Sequence, residues 1–216
     1  MNLSCKICGA ETREIRHNKL KTSYFQCKLC EFIAKDEDAI ISSKEELKIY
    51  NYHNNSIDNE KYVAYFKDFL DNAVIPHFNG DKTGLDFGSG PSPVLAMILE
   101  RDYGFDMDIH DLFYAPEKPY EYKQYNLITC TEVIEHLKNP LAYFRLFKEL
   151  LHDGGILAIM TLFHPNNDID FMDWFYVRDR SHISFYTPRT LEMIGKLIGL
   201  KLIYHNEHRH AILMHQ

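Results

Sequence analysis

The chain has 216 residues, is 45% hydrophobic and 25% charged, and sets 31 Asp plus Glu against 24 Lys plus Arg for a formal net charge of −7. That size holds one α/β domain plus a small module, and the apolar fraction is that of a globular protein, not a disordered one. No stretch approaches the roughly 20 apolar residues of a membrane span and no targeting segment is visible, so a cytoplasmic protein is expected, while the acidic balance argues against a general polyanion binder.

The first 40 residues contain Cys5-Lys6-Ile7-Cys8 and Cys27-Lys28-Leu29-Cys30, two C-x-x-C knuckles. Four thiolates in this arrangement match a tetrahedral zinc ribbon, in which the metal supplies ordering energy that so small a module cannot draw from its own core. Disulfide pairing would suit a secreted chain, and the sequence shows no other mark of one. Redox use of the thioredoxin kind would require a helix after the pair, and an iron–sulfur cluster is a further alternative. Between the knuckles, Arg13, Arg16, His17, Lys19 and Lys21 are either a solvated loop or the best local candidate for a nucleic-acid contact.

From Ser42 to Phe78 the pattern predicts helices. Ser43 can cap a segment carrying Leu47, Ile49 and Tyr50, and Asp58 a second one carrying Tyr62, Val63, Tyr65, Phe66, Phe69, Leu70, Ala73 and Val74 at three- and four-residue spacing.

Leu85-Asp86-Phe87-Gly88-Ser89-Gly90-Pro91 closes a short apolar strand with an acid and a glycine turn, and an apolar helix pattern starts at Pro93. Gly88 and Gly90 permit positive φ and let a ligand approach bare backbone, while the helix aims its unpaired N–H groups at the same point. A dinucleotide fingerprint places a third glycine where Pro93 stands, so a diphosphate is disfavoured. Asp86 would repel phosphate but attract the amino group of a methionine-like tail. Met107 and Ile109 lead into Asp111, about 20 residues past the glycines, where an acid can bond a ribose diol. An ordinary strand-to-helix turn is the bland alternative.

Residues 125–131 read as a buried strand whose Cys130 is a small core hydrophobe. Asn139-Pro140 opens a helix with Leu141, Phe144, Leu146, Phe147, Leu150 and Leu151 on its apolar face, and Asp153-Gly154-Gly155 ends it before the strand Ile156 to Met160. Thr187-Pro188 caps a helix running to Ile198 that Gly199 stops, and Lys201 to Tyr204 with Ala211 to Met214 form a terminal hairpin.

Taken as a set, the Asp86 loop, Asp111, the segment Thr131-Glu132-Val133-Ile134-Glu135-His136-Leu137 and Asp153-Gly154-Gly155 resemble the class I S-adenosylmethionine-dependent methyltransferases over about residues 80 to 216. The resemblance implies a doubly wound, mostly parallel α/β sheet with an antiparallel edge, in three parts: a ribbon (1–40), a helical linker or lid (41–80) and a methyltransferase domain (81–216). It implies that Asp86, Gly88, Ser89, Gly90, Asp111, Leu112, Thr131 and Glu132 hold the cofactor, and that Tyr50, His53, Asn54 and Asn55 line the entrance. The chain departs from the family between Asp111 and Tyr125, where 13 residues are too few for the usual helix and strand on the adenine side.

The implied activity is methyl transfer to an oxygen or carbon of a small molecule, a nucleotide-linked sugar being one acceptor candidate. The alternatives are an RNA-directed enzyme or a non-catalytic module that docks through its ribbon. On a helical turn Glu132 would lie near Glu135 and His136, a set suited to magnesium or manganese. This segment is similar to those of the ubiquinone-biosynthesis O-methyltransferases and the small-RNA 2′-O-methyltransferases, and the matching downstream histidine is His182. Without a metal, His136 or His182 would serve as general base, or these groups would merely brace the loop. Trp174, Tyr176 and Tyr186 are read as pocket walls for the acceptor or as part of a packed cap.

Overall fold

The computed structural model describes residues 4–52 and 56–216, so His53, Asn54 and Asn55 of the expected entrance lie outside the described residues. The strands and helices follow the chain as β1 (Thr12–His17), β2 (Thr22–Cys27), β3 (Ile33–Lys35), α1 (Ser43–Tyr50), α2 (Glu60–Phe69), β4 (Thr83–Phe87), α3 (Val94–Tyr103), β5 (Asp106–His110), β6 (Tyr125–Thr131), α4 (Pro140–Leu150), β7 (Leu151–Met160), α5 (Asp168–Asp173), β8 (Ser184–Phe185), α6 (Pro188–Ile198), β9 (Leu200–His205) and β10 (His210–His215).

Six strands form the main sheet in the order β5-β4-β6-β7-β10-β9. The four from β5 to β7 are parallel, and β10 runs antiparallel to both β7 and β9. Residues 112–124 contain neither helix nor strand, so the sheet stops at β5 and the adenine-side unit is missing, as the short spacing implies. One face of the sheet packs Phe66, Phe69 and Leu70 against Val94, Ile98 and Leu99 of α3. The other packs Phe144 and Phe147 of α4 and Leu191 and Ile194 of α6 together with Cys30 and Phe32. Each fully buried side chain of this size contributes about 1.5–3 kcal/mol, and Cys130 belongs to the same core, fully buried.

The ribbon has its own sheet, ordered β1-β2-β3-β8. Its last strand comes from far along the chain: Ile33 pairs with Phe185 and Ala34 with Ser184. Arg13 ion-pairs Asp168, Lys19 ion-pairs Asp173, and His17 Nε2 bonds Met172 O at 2.8 Å. The basic residues between the knuckles are thus largely engaged by the protein's own α5 region.

Local caps differ from expectation by a residue. Ser42 rather than Ser43 caps α1, in a reciprocal box with Glu45, and Asn59 rather than Asp58 caps α2, accepting from the N–H groups of Lys61 and Tyr62. The helix expected to reach Asp153 ends at Leu150, because β7 begins at Leu151 and passes through the 153–155 turn with a register shift opposite Tyr125–Leu127. Thr187 and Gly199 bound α6 as the sequence predicts.

Candidate functional site

A cavity of about 790 Å³ opens at the C-terminal ends of β4, β5 and β6. All eight residues expected to hold a cofactor line it: Asp86, Gly88, Ser89, Gly90, Asp111, Leu112, Thr131 and Glu132. Gly88 lies at φ +87, and a Cβ there would sit 2.1 Å from Val133 Cγ2, so only glycine fits. At Gly90, φ is +67 and a Cβ would meet nothing within 4 Å, which leaves bare backbone facing open space. The Ser89 hydroxyl in this loop is buried without a hydrogen-bond partner. An open glycine loop and an unsatisfied hydroxyl fit a polar ligand seated against the turn.

Asp111 organises the loop from the end of β5. Its Oδ2 accepts from Gly90 N at 2.9 Å, and its Oδ1 accepts from Phe113 N at 2.8 Å and Tyr114 N at 3.0 Å. Three of the carboxylate's roughly four lone-pair sites are filled, leaving one on Oδ2. Asp86 is buried and accepts from Thr129 Oγ1 at 2.8 Å. Burial pushes its carboxyl up to about 6, with the Asp111 charge adding to the rise and the Thr129 bond opposing it.

Residues of 132–136 and 176–182 also line the cavity. Glu132 adopts the left-handed φ of +53, and a single 3-10 turn covers Ile134–His136. The expected helical turn is therefore absent, so a shared helical face does not gather Glu132, Glu135 and His136, although Glu132 and Glu135 still lie side by side. Instead, ligand atoms of Glu135, His136 and His182 lie within 4.8 Å of one another, with Glu132 outside that group. Glu132 connects to it through Tyr176, whose hydroxyl sits against both Glu132 Oε2, at 3.0 Å, and Glu135 Oε1. On its other oxygen, Glu132 accepts from Tyr65 at 2.7 Å, and Arg209 donates to that hydroxyl.

Glu135 is fully buried, and its Oε2 has no hydrogen-bond partner. Burial, then the charge of Glu132, drives its carboxyl well above the usual range. His136 Nδ1 donates to Ser181 O at 3.1 Å and His182 Nδ1 to Tyr176 O at 2.8 Å. Both rings thereby carry their basic nitrogen at Nε2, the arrangement that a metal-binding or proton-accepting histidine needs. Burial holds His182 below the ordinary imidazole value.

Of the three aromatic walls expected, Tyr176 alone faces the cavity. Tyr186 is fully buried and donates to Ile134 O, and Trp174 packs on Phe171, Tyr176 and Phe185; both belong to the support behind the wall. Tyr50, expected at the entrance, lines the cavity, and so do Tyr62, Tyr65, Phe113, Glu46 and Asp179, which the sequence did not single out for the pocket. Asp179 is desolvated, yet bonds from Ser181 and the nearby imidazoles hold its carboxyl below the usual range.

In the ribbon, Cys5 Sγ and Cys30 Sγ are 3.5 Å apart, Cys8 and Cys27 3.5 Å, and Cys8 and Cys30 3.6 Å. A tetrahedron with metal–sulfur bonds near 2.3 Å has sulfurs about 3.8 Å apart, so the set fits zinc closely. Backbone N–H groups of Ile7, Leu29 and Cys30 point at the knuckle sulfurs at 3.4 Å, which favours thiolates.

A model of a family described as a methyltransferase domain matches residues 58–205. The chain is 28% identical over 80 residues to the ubiquinone biosynthesis O-methyltransferase of Aeromonas salmonicida and 31% identical over 85 residues to that of Marinobacter nauticus. Those segments are 37% of this chain and 33% and 34% of the two relatives, so the match spans about a third of their length. Among solved structures, a methyltransferase of calicheamicin biosynthesis in its SAH-bound form aligns with a TM-score of 0.54 at 14% identity, over 84% of this chain and 61% of that one. An O-methyltransferase family protein from Burkholderia thailandensis aligns at 0.52 and 14%, over 79% and 63%. These likenesses show the class I fold.

Proposed function

The chain belongs to the methyltransferase-domain family, and on that premise we propose that it transfers the methyl group of S-adenosylmethionine to an oxygen or carbon of a small-molecule acceptor. The observation that carries this reading is the single cavity joining the open glycine loop, with its unsatisfied Ser89 hydroxyl, to two imidazoles whose basic nitrogens are fixed. A small acceptor is favoured over RNA because Arg13, His17 and Lys19 are occupied by the α5 region.

Bound S-adenosylmethionine supplies a methyl group already activated by its sulfonium charge. Asp86 would meet the amino group of its amino-acid part, and the remaining Oδ2 site of Asp111 a ribose hydroxyl. The chain's further contribution is to position the acceptor and take its proton. His136 and His182 would receive that proton at Nε2. In the alternative route, Glu135, His136 and His182 would instead hold a magnesium or manganese ion, with Nε2 as ligand rather than base and the ion lowering the acceptor's pKa, a route that the orphaned Glu135 Oε2 favours. Cys5, Cys8, Cys27 and Cys30 hold a structural zinc in this reading.

Calorimetry with S-adenosylhomocysteine tests the core of the proposal. Asp111→Ala removes charged hydrogen bonds of about 1.5–3 kcal/mol, so affinity should fall roughly 10- to 100-fold. Absence of binding to the unaltered protein would remove the reading. A second prediction concerns pH. The ligand's amino cation selects ionised Asp86, whose free-state value is about 6; affinity should be flat above that pH and fall roughly tenfold per unit below it. A pH-independent affinity between 5 and 7 would separate Asp86 from the amino group. The acceptor itself is sought by mass spectrometry of cell extract, as products one methylene heavier that require both protein and cofactor.

A further inference from the structure

Lys35 ends β3 in the ribbon and is only 6% exposed. Burying an ammonium is costly, and an apolar side chain of the same length would fill the space at lower cost. Burial and the Arg180 charge pull its pKa down, with Asp179 opposing. Its hydrogen bonds give the burial a purpose. The backbone N–H of Lys35 donates to Ile183 O at 2.9 Å, and its Nζ donates to Arg180 O at 2.9 Å.

Those two carbonyls bracket Ser181 and His182. Ser181 O is the acceptor that orients the His136 ring, and His182 is the second imidazole of the cavity. The next residue, Ile183, returns its N–H to Glu135 O at 2.8 Å. Lys35 therefore secures both ends of the short span that carries His182 and supplies the Ser181 carbonyl orienting His136, the Ile183 end through its backbone and the Arg180 end through its side chain.

We propose that Lys35 is a positioning residue of the acceptor side, clamping 180–183 so that His136 and His182 keep their basic nitrogens at Nε2. The proposal rests on the reading of these imidazoles as acceptor-side groups. It also gives the ribbon a part in the chemistry: the zinc knuckles anchor the strand that carries Lys35.

The test uses full-length, zinc-loaded, nitrogen-15-labelled protein and long-range proton–nitrogen spectra of its histidines. In the unaltered protein, His136 and His182 should show the pattern of a ring protonated at Nδ1 and basic at Nε2. In Lys35→Met and Lys35→Gln, both nitrogen resonances of each of these rings should shift toward tautomer-averaged positions, with the other ten histidines unmoved. Lys35→Arg, which keeps a cationic donor, should restore the pattern. Zinc content should stay at one per chain and S-adenosylhomocysteine affinity within about twofold throughout, since Lys35 touches neither site. The proposal is overturned if Met and Gln variants keep the original spectrum, if Arg disturbs it as much as Met, or if both neutral variants lose zinc or unfold, which would make Lys35 a structural residue only. Failure of the unaltered protein to bind S-adenosylhomocysteine would remove the methyltransferase reading while leaving the histidine spectra to decide Lys35.

Discussion

Cys27→Ser should abolish zinc binding and unfold far more than a terminal appendage. Structural zinc in a four-thiolate site is worth about 10–16 kcal/mol of apparent binding free energy, comparable to or larger than the roughly 5–15 kcal/mol that separates a folded domain from its unfolded chain. The lesion cannot stay local, because β3 pairs with β8, Thr190 Oγ1 donates to Cys30 O at 2.8 Å, and Cys30 and Phe32 share a core with Phe144 and Leu191. Elemental analysis together with thermal unfolding would show zinc gone and the main transition lowered by many degrees. A zinc-free Cys27→Ser protein that melts where the parent does would mean that the ribbon is energetically separate.

What the sequence could disclose was what depends on near neighbours. The C-x-x-C knuckles, the glycine turn at 88–90, Asp111 and the Thr187/Gly199 boundaries of α6 each follow from residues a few positions apart, and each stands where the pattern puts it. The missing adenine-side unit was legible too, from chain length alone. Long-range pairing was not. Nothing in Ser184-Phe185, a two-residue strand, announces that it completes the ribbon's sheet, and nothing in the ribbon announces that Lys35 reaches the 180–183 span. The geometry of 132–136 was not legible for a different reason: helical spacing assumes right-handed backbone, and Glu132 sits at positive φ, so it meets Glu135 at the Tyr176 hydroxyl rather than along a helical face. For Trp174, Tyr176 and Tyr186 the sequence left pocket wall and packed cap open, because composition does not say which ring faces outward; Tyr176 does, while Trp174 and Tyr186 stand behind it.

His182→Ala should lower kcat by roughly 10²–10⁴, the span of a lost general base, while S-adenosylhomocysteine affinity changes little. The separation is expected because the groups read as holding the cofactor are Asp86, the 88–90 loop and Asp111, whereas the ring of His182 is held by Tyr176 O. Burial holds its pKa below the ordinary imidazole value, with the Asp179 charge opposing, so the rate should hold at neutral pH and above and decline only on the acid side. Glu135→Gln then distinguishes the two ways the ring can act. If a divalent ion is held, the variant removes a charged ligand from a buried site, manganese binding seen by electron paramagnetic resonance should disappear, and kcat should fall about as far as in His182→Ala. If the imidazole acts alone, Glu135→Gln replaces a carboxyl that burial already pushes toward its neutral form with a near-isosteric amide, and turnover should survive within a few-fold. Equal, large losses in both variants with no manganese signal in the parent would fit neither route and would return Glu135 and His182 to the role of bracing the loop.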